Sequence, residues 1–309
     1  MRSPAEGTGP VIVDAALLRS WPLPMPPADG DKEQRGHVLI LGGSREMPGA
    51  VILAATAALR AGAGKLTVAT GASVAQLVGM ALPEARVLGL AETRQGGFTG
   101  EAVARLDPLA DKVDAVLIGP GMQDEVATAK LVRALLPRLN GSATSVVLDA
   151  CAMAIILHPP KPESAGAAFR FVLPVIVTPH AGEMAHLTGA SKEEICADPE
   201  RHAAQAAQRW NAVVALKGSR TRINAPGGEC WQHEGGNVGL GTSGSGDTLA
   251  GIIAGLAARG ASLPQAACWG VALHARAGEL LAKRFGMLGY LARELPNEIP
   301  ALMESFALA

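Results

Sequence analysis

The sequence predicts an α/β fold on a mostly parallel sheet covered on both faces. Short apolar runs of four to six residues recur along the chain, and segments with helical periodicity separate them. That alternation is the pattern of successive βαβ units. Glycines and prolines stand at the ends of the runs, where a strand turns into a loop. With 309 residues and 49% hydrophobic content the chain can bury a large core. No linker interrupts its middle, so one unit over 36–309 is expected behind an N-terminal arm over 1–35.

The arm is rich in proline and charge and reads as loose, with a short helix around Asp14 to Arg19. His37 to Leu41 (HVLIL) is a buried strand ending at Gly42-Gly43. Pro48 to Ala61 is alanine-rich, with leucines at helical spacing. Lys65 to Thr70 is the second strand. Asp114 to Ile118 and Ser145 to Leu148 are two more, with a helix from about Asp124 to Leu139 between them. Residues 159–172 (PPKPESAGAAFRFV) break the rhythm as a surface loop or insertion. Leu173 to Val177 and Ala212 to Leu216 resume it. Thr221 to Gln232 holds a Pro-Gly-Gly turn between extended stretches and reads as a hairpin. Beyond Gly246 the chain is helical almost to its end.

Composition excludes several functions. The net charge is −1, aromatics make up 3% and there is one tyrosine. Neither a basic footprint for nucleic acid nor a base-stacking platform is expected. Cys151, Cys196, Cys230 and Cys268 are far apart, without CxxC spacing, so a zinc site, a redox motif or a disulfide framework is not expected. The opening MRSPAEGTGP has no apolar signal core. Low-charge runs such as Leu66 to Pro83 carry Thr, Ser, Gln and Gly and do not read as membrane spans. A cytoplasmic location is the default expectation.

In an open parallel sheet, ligands bind beyond the carboxyl ends of the strands. The residues there are Gly42-Gly43-Ser44, Gly119-Pro120-Gly121, Asp149, Thr178-Pro179-His180 and Lys217-Gly218. The strongest segment is Gly239 to Gly255, GLGTSGSGDTLAGIIAG. A polar glycine loop runs straight into a helix that is apolar or small all round, and such a helix is buried. The free N–H groups around Ser245 to Asp247, with the helix dipole behind them, form an anion site. Asp247 in the first turn is placed to take a proton from a hydroxyl as its oxygen attacks phosphorus. No Lys-Ser or Lys-Thr follows the glycines, so this is not a Walker A loop, and GxGxxG order is absent. Lys217 at a strand end either faces nucleotide phosphates or is solvated.

These residues resemble the NAD(P)H-hydrate dehydratases of the ribokinase-like superfamily. The likeness runs from about Arg35 to Met303. GHVLILGGSREMPGAVILAATAALRAGAGKLTVAT resembles the family's opening block. LPEARV, VLIGPGM, VLDACAM, VTPHAGEMAHLTG, LKGSRT and GTSGSGDTLAGIIAGL follow in order. The resemblance implies a ribokinase-like three-layer sandwich, often a homotetramer. The implied reaction is dehydration of damaged, hydrated NADH or NADPH (NAD(P)HX). Its hydroxyl is phosphorylated by ADP or ATP, with Mg²⁺ as cofactor, and phosphate is then lost to restore the double bond; bacterial members typically use ADP. By the same resemblance Asp247 is the base, Gly246 belongs to the anion cradle, and Lys217, Gly218, Ser219, Arg220 and Thr221 contact the nucleotide. Ala50, Gly121, His180 and Asp247 contact the hydrated dinucleotide.

The chain departs from the family pattern at Cys151, where relatives have an aspartate, and at Ala181, where they have proline. A thiol does not replace a carboxylate as a hard magnesium ligand. Relatives with an epimerase domain carry it before this region. Only about 35 residues precede the strand at His37, so a separate epimerase is expected to act upstream. Two other readings stay open at this level: a ribokinase-like kinase for a vitamin precursor or sugar, and a non-catalytic nucleotide-binding regulator.

Overall fold

The computed structural model describes residues 9–27, 29, 31–158 and 169–308. The elements in chain order are β1 (Val11–Ile12), α1 (Ala15–Ser20), β2 (His37–Leu41), α2 (Pro48–Arg60), β3 (Lys65–Gly71), α3 (Ala75–Ala81), β4 (Arg86–Leu90), α4 (Glu101–Leu106), β5 (Ala115–Ile118), α5 (Glu125–Leu139) and β6 (Ser145–Leu148). They continue with β7 (Val175–Val177), α6 (Ala181–Thr188), α7 (Lys192–Ala197), α8 (Pro199–Trp210), β8 (Ala212–Leu216), β9 (Arg220–Asn224), β10 (Cys230–Glu234), α9 (Ser245–Ala258), α10 (Leu263–Phe285) and α11 (Leu295–Leu308). The strands form one sheet in the order β1-β10-β9-β8-β7-β6-β5-β2-β3-β4. Its pairs are parallel except β8–β9 and β9–β10, which are antiparallel. This is the mostly parallel three-layer arrangement that the sequence predicts.

The apolar runs are explained by burial on two sides. In β2, Val38 and Ile40 enter one core while Leu39 and Leu41 enter the other. Leu117 of β5 and Val147 of β6 point with the first pair, and Val116, Ile118, Val146 and Leu148 with the second. A strand buried on both faces loses the polar half of its alternation. α2, α9, α10 and α11 cover the first face, and α4 to α8 cover the second.

Helix ends follow local chemistry. Pro48 and Pro199 occupy first-turn positions where no N–H is needed. The Asp124 carboxylate accepts from Ala127 N at 2.9 Å and starts α5. β7 begins at Val175 rather than Leu173, because Pro174 has no N–H to donate to a ladder.

Three readings change. The arm is not loose across its described part: β1 pairs in parallel with Trp231 and Gln232 of β10, Val13 and Leu18 are buried, and Trp21 stacks on Trp231. The indole of Trp269 and the amide of Gln265 both donate to Trp21 O. Of the expected surface loop over 159–172, residues 159–168 lie outside the described set. Phe171 is buried against the α8 side of the core, with Phe169 edge-on to it at 4.8 Å. β4 escapes the sequence reading because it is a half-exposed edge strand interrupted by Gly89.

Candidate active site

Four segments meet at the carboxyl ends of the central strands. Asp149 follows β6, Thr178 to His180 follow β7, Lys217 follows β8, and α9 presents its N-terminus to them. Lys217 N donates to Pro179 O at 2.8 Å, and a single parallel bridge sets Lys217 beside His180. Lys217 Nζ is 3.3 Å from Asp149 Oδ1 and 3.7 Å from Glu183 Oε2. Asp149 is buried, and its Oδ1 also accepts from Thr178 Oγ1. Burial opposes the Lys217 charge, but Asp149 and Glu183 outweigh it and hold its pKa above the ordinary value. The side chain is 20% exposed, so this lysine is a fixed cation and not a solvated one.

α9 begins at Gly244, whose φ of +87° lies in the left-handed region. A Cβ there would also strike Leu53 Cδ1. Ser245 N is tied back to Thr242 O at 3.2 Å, and Thr248 N donates to Gly244 O at 3.0 Å. Among the described residues this leaves the N–H groups of Gly246 and Asp247 without a backbone carbonyl partner, while Ser245 N, which the expected anion site includes, is already engaged. Further along, Gly251 and Gly255 lie against the backbone of Ala54 and Ala58 in α2, where any side chain would collide with those carbonyls. The helix carrying Asp247 is thus seated backbone to backbone on α2.

Burial, and after it the Asp149 charge, push the Asp247 pKa up to about 7, against the lowering pull of Lys217 and of its own backbone N–H. A carboxyl with that pKa can accept and return a proton near neutrality, which is what a general base requires. Ser245 fixes the helix from behind. Its Oγ and its carbonyl oxygen each lie 3.0 Å from His274 Nε2 on α10. Burial drives the His274 pKa down to about 4, so the ring is neutral at pH 7. The unfolded chain binds this proton below about pH 6.5 and the folded one only below about 4. His274 therefore contributes stability above pH 6.5 that is lost as pH falls toward 4. Unfolding free energies measured across that range should lose this contribution to the pH slope in His274→Gln; an unaltered slope would refute the assignment.

His180 caps α6. Glu183 N donates to its Nδ1 at 3.1 Å, and His180 N donates to Glu183 Oε2 at 2.8 Å. A neutral ring accepting at Nδ1 carries its proton on Nε2.

A cavity of about 690 Å³ opens over this corner. Of the residues expected on the nucleotide, Lys217, Gly218, Ser219, Thr221 and Gly246 line it, and so does His180. Arg220 does not: its guanidinium is 65% exposed and lies 3.4 Å from Glu234 on β10. Ala50 and Gly121 adjoin each other on a second wall, beside a cavity of about 260 Å³ that includes Met122, Gln123, Cys151 and Glu183. Cys151 sits 3.7 Å from Thr128 Oγ1, and burial raises its pKa to about 11, so it remains a thiol. The site also uses residues that sequence reasoning left without a role. Glu183 stands in a capping-box position three residues after His180, and Asp149 stands at a strand end, so both carried a signal. His274 sits inside a uniform helix and carried none.

The arrangement of strands and cradle is that of a ribokinase-like α/β protein. A ribokinase-like protein from Enterococcus faecalis superposes over the whole of both chains with a TM-score of 0.79 at 27% identity. The ADP/ATP-dependent NAD(P)H-hydrate dehydratase of Bacillus subtilis, crystallised with ATP and Mg²⁺, superposes with a TM-score of 0.79 at 30% identity, covering 97% of this chain and 100% of that one. The sequence profile of the NAD(P)H-hydrate dehydratases matches residues 38–301. The ADP-dependent (S)-NAD(P)H-hydrate dehydratase of Xanthomonas campestris pv. campestris is 49% identical over 96% of this chain and 98% of its own. This chain belongs to the NAD(P)H-hydrate dehydratase family. It also matches bifunctional NAD(P)H-hydrate repair enzymes, such as that of Moorella thermoacetica at 39% identity, of which it spans 54% of the length.

Proposed function

We propose that the chain is an ADP- or ATP-dependent NAD(P)H-hydrate dehydratase, and that Asp247 is its general base. The carrying observation is geometric: Asp247 lies in the first turn of α9, whose free N–H groups face the cavity lined by Gly246 and Lys217. The nucleotide occupies the larger cavity, its terminal phosphate at the N–H groups of Gly246 and Asp247. Lys217 to Thr221 form the flanking wall, with Arg220 turned away. The hydrate places its ring hydroxyl between Asp247 and His180. Asp247 takes the hydroxyl proton as that oxygen bonds to the terminal phosphorus of ADP, and AMP leaves. Phosphate then leaves the ring carbon with the C–O bonding pair while the adjacent ring carbon gives up a proton to solvent, and the C–H pair becomes the restored double bond. The small-molecule kinase reading is disfavoured by the 49% identity to a dehydratase.

Mg²⁺ fits this site as a companion of the nucleotide. Among the described residues no group of three or more His, Cys, Asp or Glu is placed to hold a metal. Asp149 and Glu183 are the nearby oxygen donors, and Mg²⁺ typically needs only one or two carboxylates beside phosphate and water. Bound there, it would offset charge on the phosphates. The same reading carries a homotetramer, a cytoplasmic location and a separate upstream epimerase, the last supported by the bifunctional relatives. No described helix is long and apolar enough to cross a membrane.

The test is to mix the protein with NADHX, Mg²⁺ and either ADP or ATP and follow the reduced-nicotinamide absorbance. The expected result is its return with at least one nucleotide. A stable phosphorylated product without that return would instead establish a kinase. Gly246→Val is expected to weaken nucleotide binding while folding is kept, since among the described residues a Cβ at 246 meets only Lys217 Nζ, at 3.6 Å, but intrudes on the phosphate. Calorimetric titration with ADP checks this, and an unchanged affinity in the folded variant would count against the cradle.

A further inference from the structure

A third cavity, of about 470 Å³, lies at the ends of β2, β4 and β5, on the far side of the site from the nucleotide. It shares Gln123 with the small cavity, whose Glu183 in turn stands 3.7 Å from Lys217 of the nucleotide cavity, so the three hollows follow one another across the sheet end. Arg45 and Arg94 line its outer part, and neither makes an ion pair with a described residue.

We propose that Arg45 and Arg94 form an anion subsite for a phosphate group on the far portion of the dinucleotide substrate. This rests on the reading that the substrate is NAD(P)HX. With the hydroxyl at Asp247 and the nucleoside diphosphate over Lys217, the rest of the substrate has to leave on the Gly121 side. The middle cavity is a poor host for phosphate. It carries Glu125 and Glu183, and its one basic side chain, His186, is 3.3 Å from Glu125. The outer cavity differs because its carboxylates already have partners. Glu92 accepts from Ser73 N at 2.9 Å and Ser73 Oγ at 3.1 Å. Glu46 accepts from Gln123 Nε2 at 3.2 Å.

The guanidiniums have no such partners and rise from ordered segments. Arg94 sits in a turn closed by Thr93 N donating to Gly97 O and Gly97 N donating to Thr93 Oγ1, while Thr93 Oγ1 donates to Asp124. Arg45 precedes α2 in a loop where Ser44 Oγ donates to Gln123. Planar forks presented from fixed backbone suit the paired oxygens of a phosphate.

The test is direct fluorescence titration of NADPH and of NADH, the stable products, against wild type and the R45A/R94A double variant. Both arginines are exposed, so folding is not at risk. The dissociation constant is expected to rise about tenfold or more, as for loss of charge-assisted hydrogen bonds, with ADP affinity retained. A rise for both dinucleotides assigns the subsite to the pyrophosphate, and a rise for NADPH alone assigns it to the 2′-phosphate. Unchanged affinity for both, or equal weakening of ADP, overturns the subsite. Because binding and not turnover is read, that failure leaves the dehydratase reading intact, whereas failure of the NADHX assay strikes that reading itself.

Discussion

Asp247→Asn is expected to lower turnover by about 10²- to 10⁴-fold, the usual loss for a general base, and at the same time to make the folded protein more stable above pH 7. The two effects share one cause. In the folded chain this carboxyl keeps its proton up to about pH 7, whereas in the unfolded chain it loses it near about 3.9. Between those values the folded state binds the extra proton, so stability falls as pH rises from about 4 to about 7. Asparagine has no charge to bury and escapes that loss. A carboxylate that merely complements the helix dipole would instead lose about 0.3–1 kcal/mol of stability on neutralisation. In wild type, kcat/KM should rise with pH through a value near 7, as the base form of Asp247 becomes populated. The His274 contribution has the opposite sign between about 4 and 6.5, so the Asn variant should expose a slope that wild type partly cancels. Turnover within about threefold of wild type, far from a general-base loss, would remove Asp247 from the role.

Lys217→Met should have the largest effect on stability. The buried Asp149 carboxylate would lose its cation, and Glu183 would lose the same partner. Breaking a buried pair by deleting one partner typically costs about 3–5 kcal/mol, because a charge is left uncompensated. Denaturant unfolding of the single variant should show a loss of that order. Adding Asp149→Asn should return most of it, since both charges then leave together. Lys217 also holds the Asp247 pKa down, so the single variant should move the alkaline-rising limb of kcat/KM to higher pH. A stability loss below about 1 kcal/mol, the range of exposed pairs, would show that the cluster is not electrostatically tight.

The central strands and the helix carrying Asp247 were legible because their patterns are local. HVLIL, SVVL and AVVAL announce strands buried on both faces, and GSGDTLAG announces a glycine turn followed by a packed helix. What was not legible depends on distant partners. Val11 and Ile12 read as arm residues because their pairing with Trp231 and Gln232 lies more than 200 positions away. Arg220 sits in the same LKGSRT run as Lys217, but the alternation along β9 sends it toward Glu234, outside the cavity. His274 has no motif at all; its meaning comes from Ser245, on a different helix. Asp149 and Glu183 were visible as residues, but their shared grip on Lys217 required the register of β6, β7 and β8.

The seam between α2 and α9 bears on how the chain reaches this state. It joins residues 48–60 to residues 245–258, and it covers the same face of the sheet as α10 and α11. During synthesis the first strands leave the ribosome long before the helices that cover them. α2 covers this face only over β2 and β3; until the last sixty or so residues emerge, the same face of β5, β6, β7 and β8 lacks α9 and α10. The contacts that seat α9 are therefore among the most non-local of those described, a topology that slows folding and prolongs exposure to aggregation. Ala54 and Ala58 make the docking step unforgiving, because backbone must meet backbone without an intervening side chain to adjust. The seam that holds Asp247 rigid in the finished protein thus makes the nascent chain dependent on late, long-range closure.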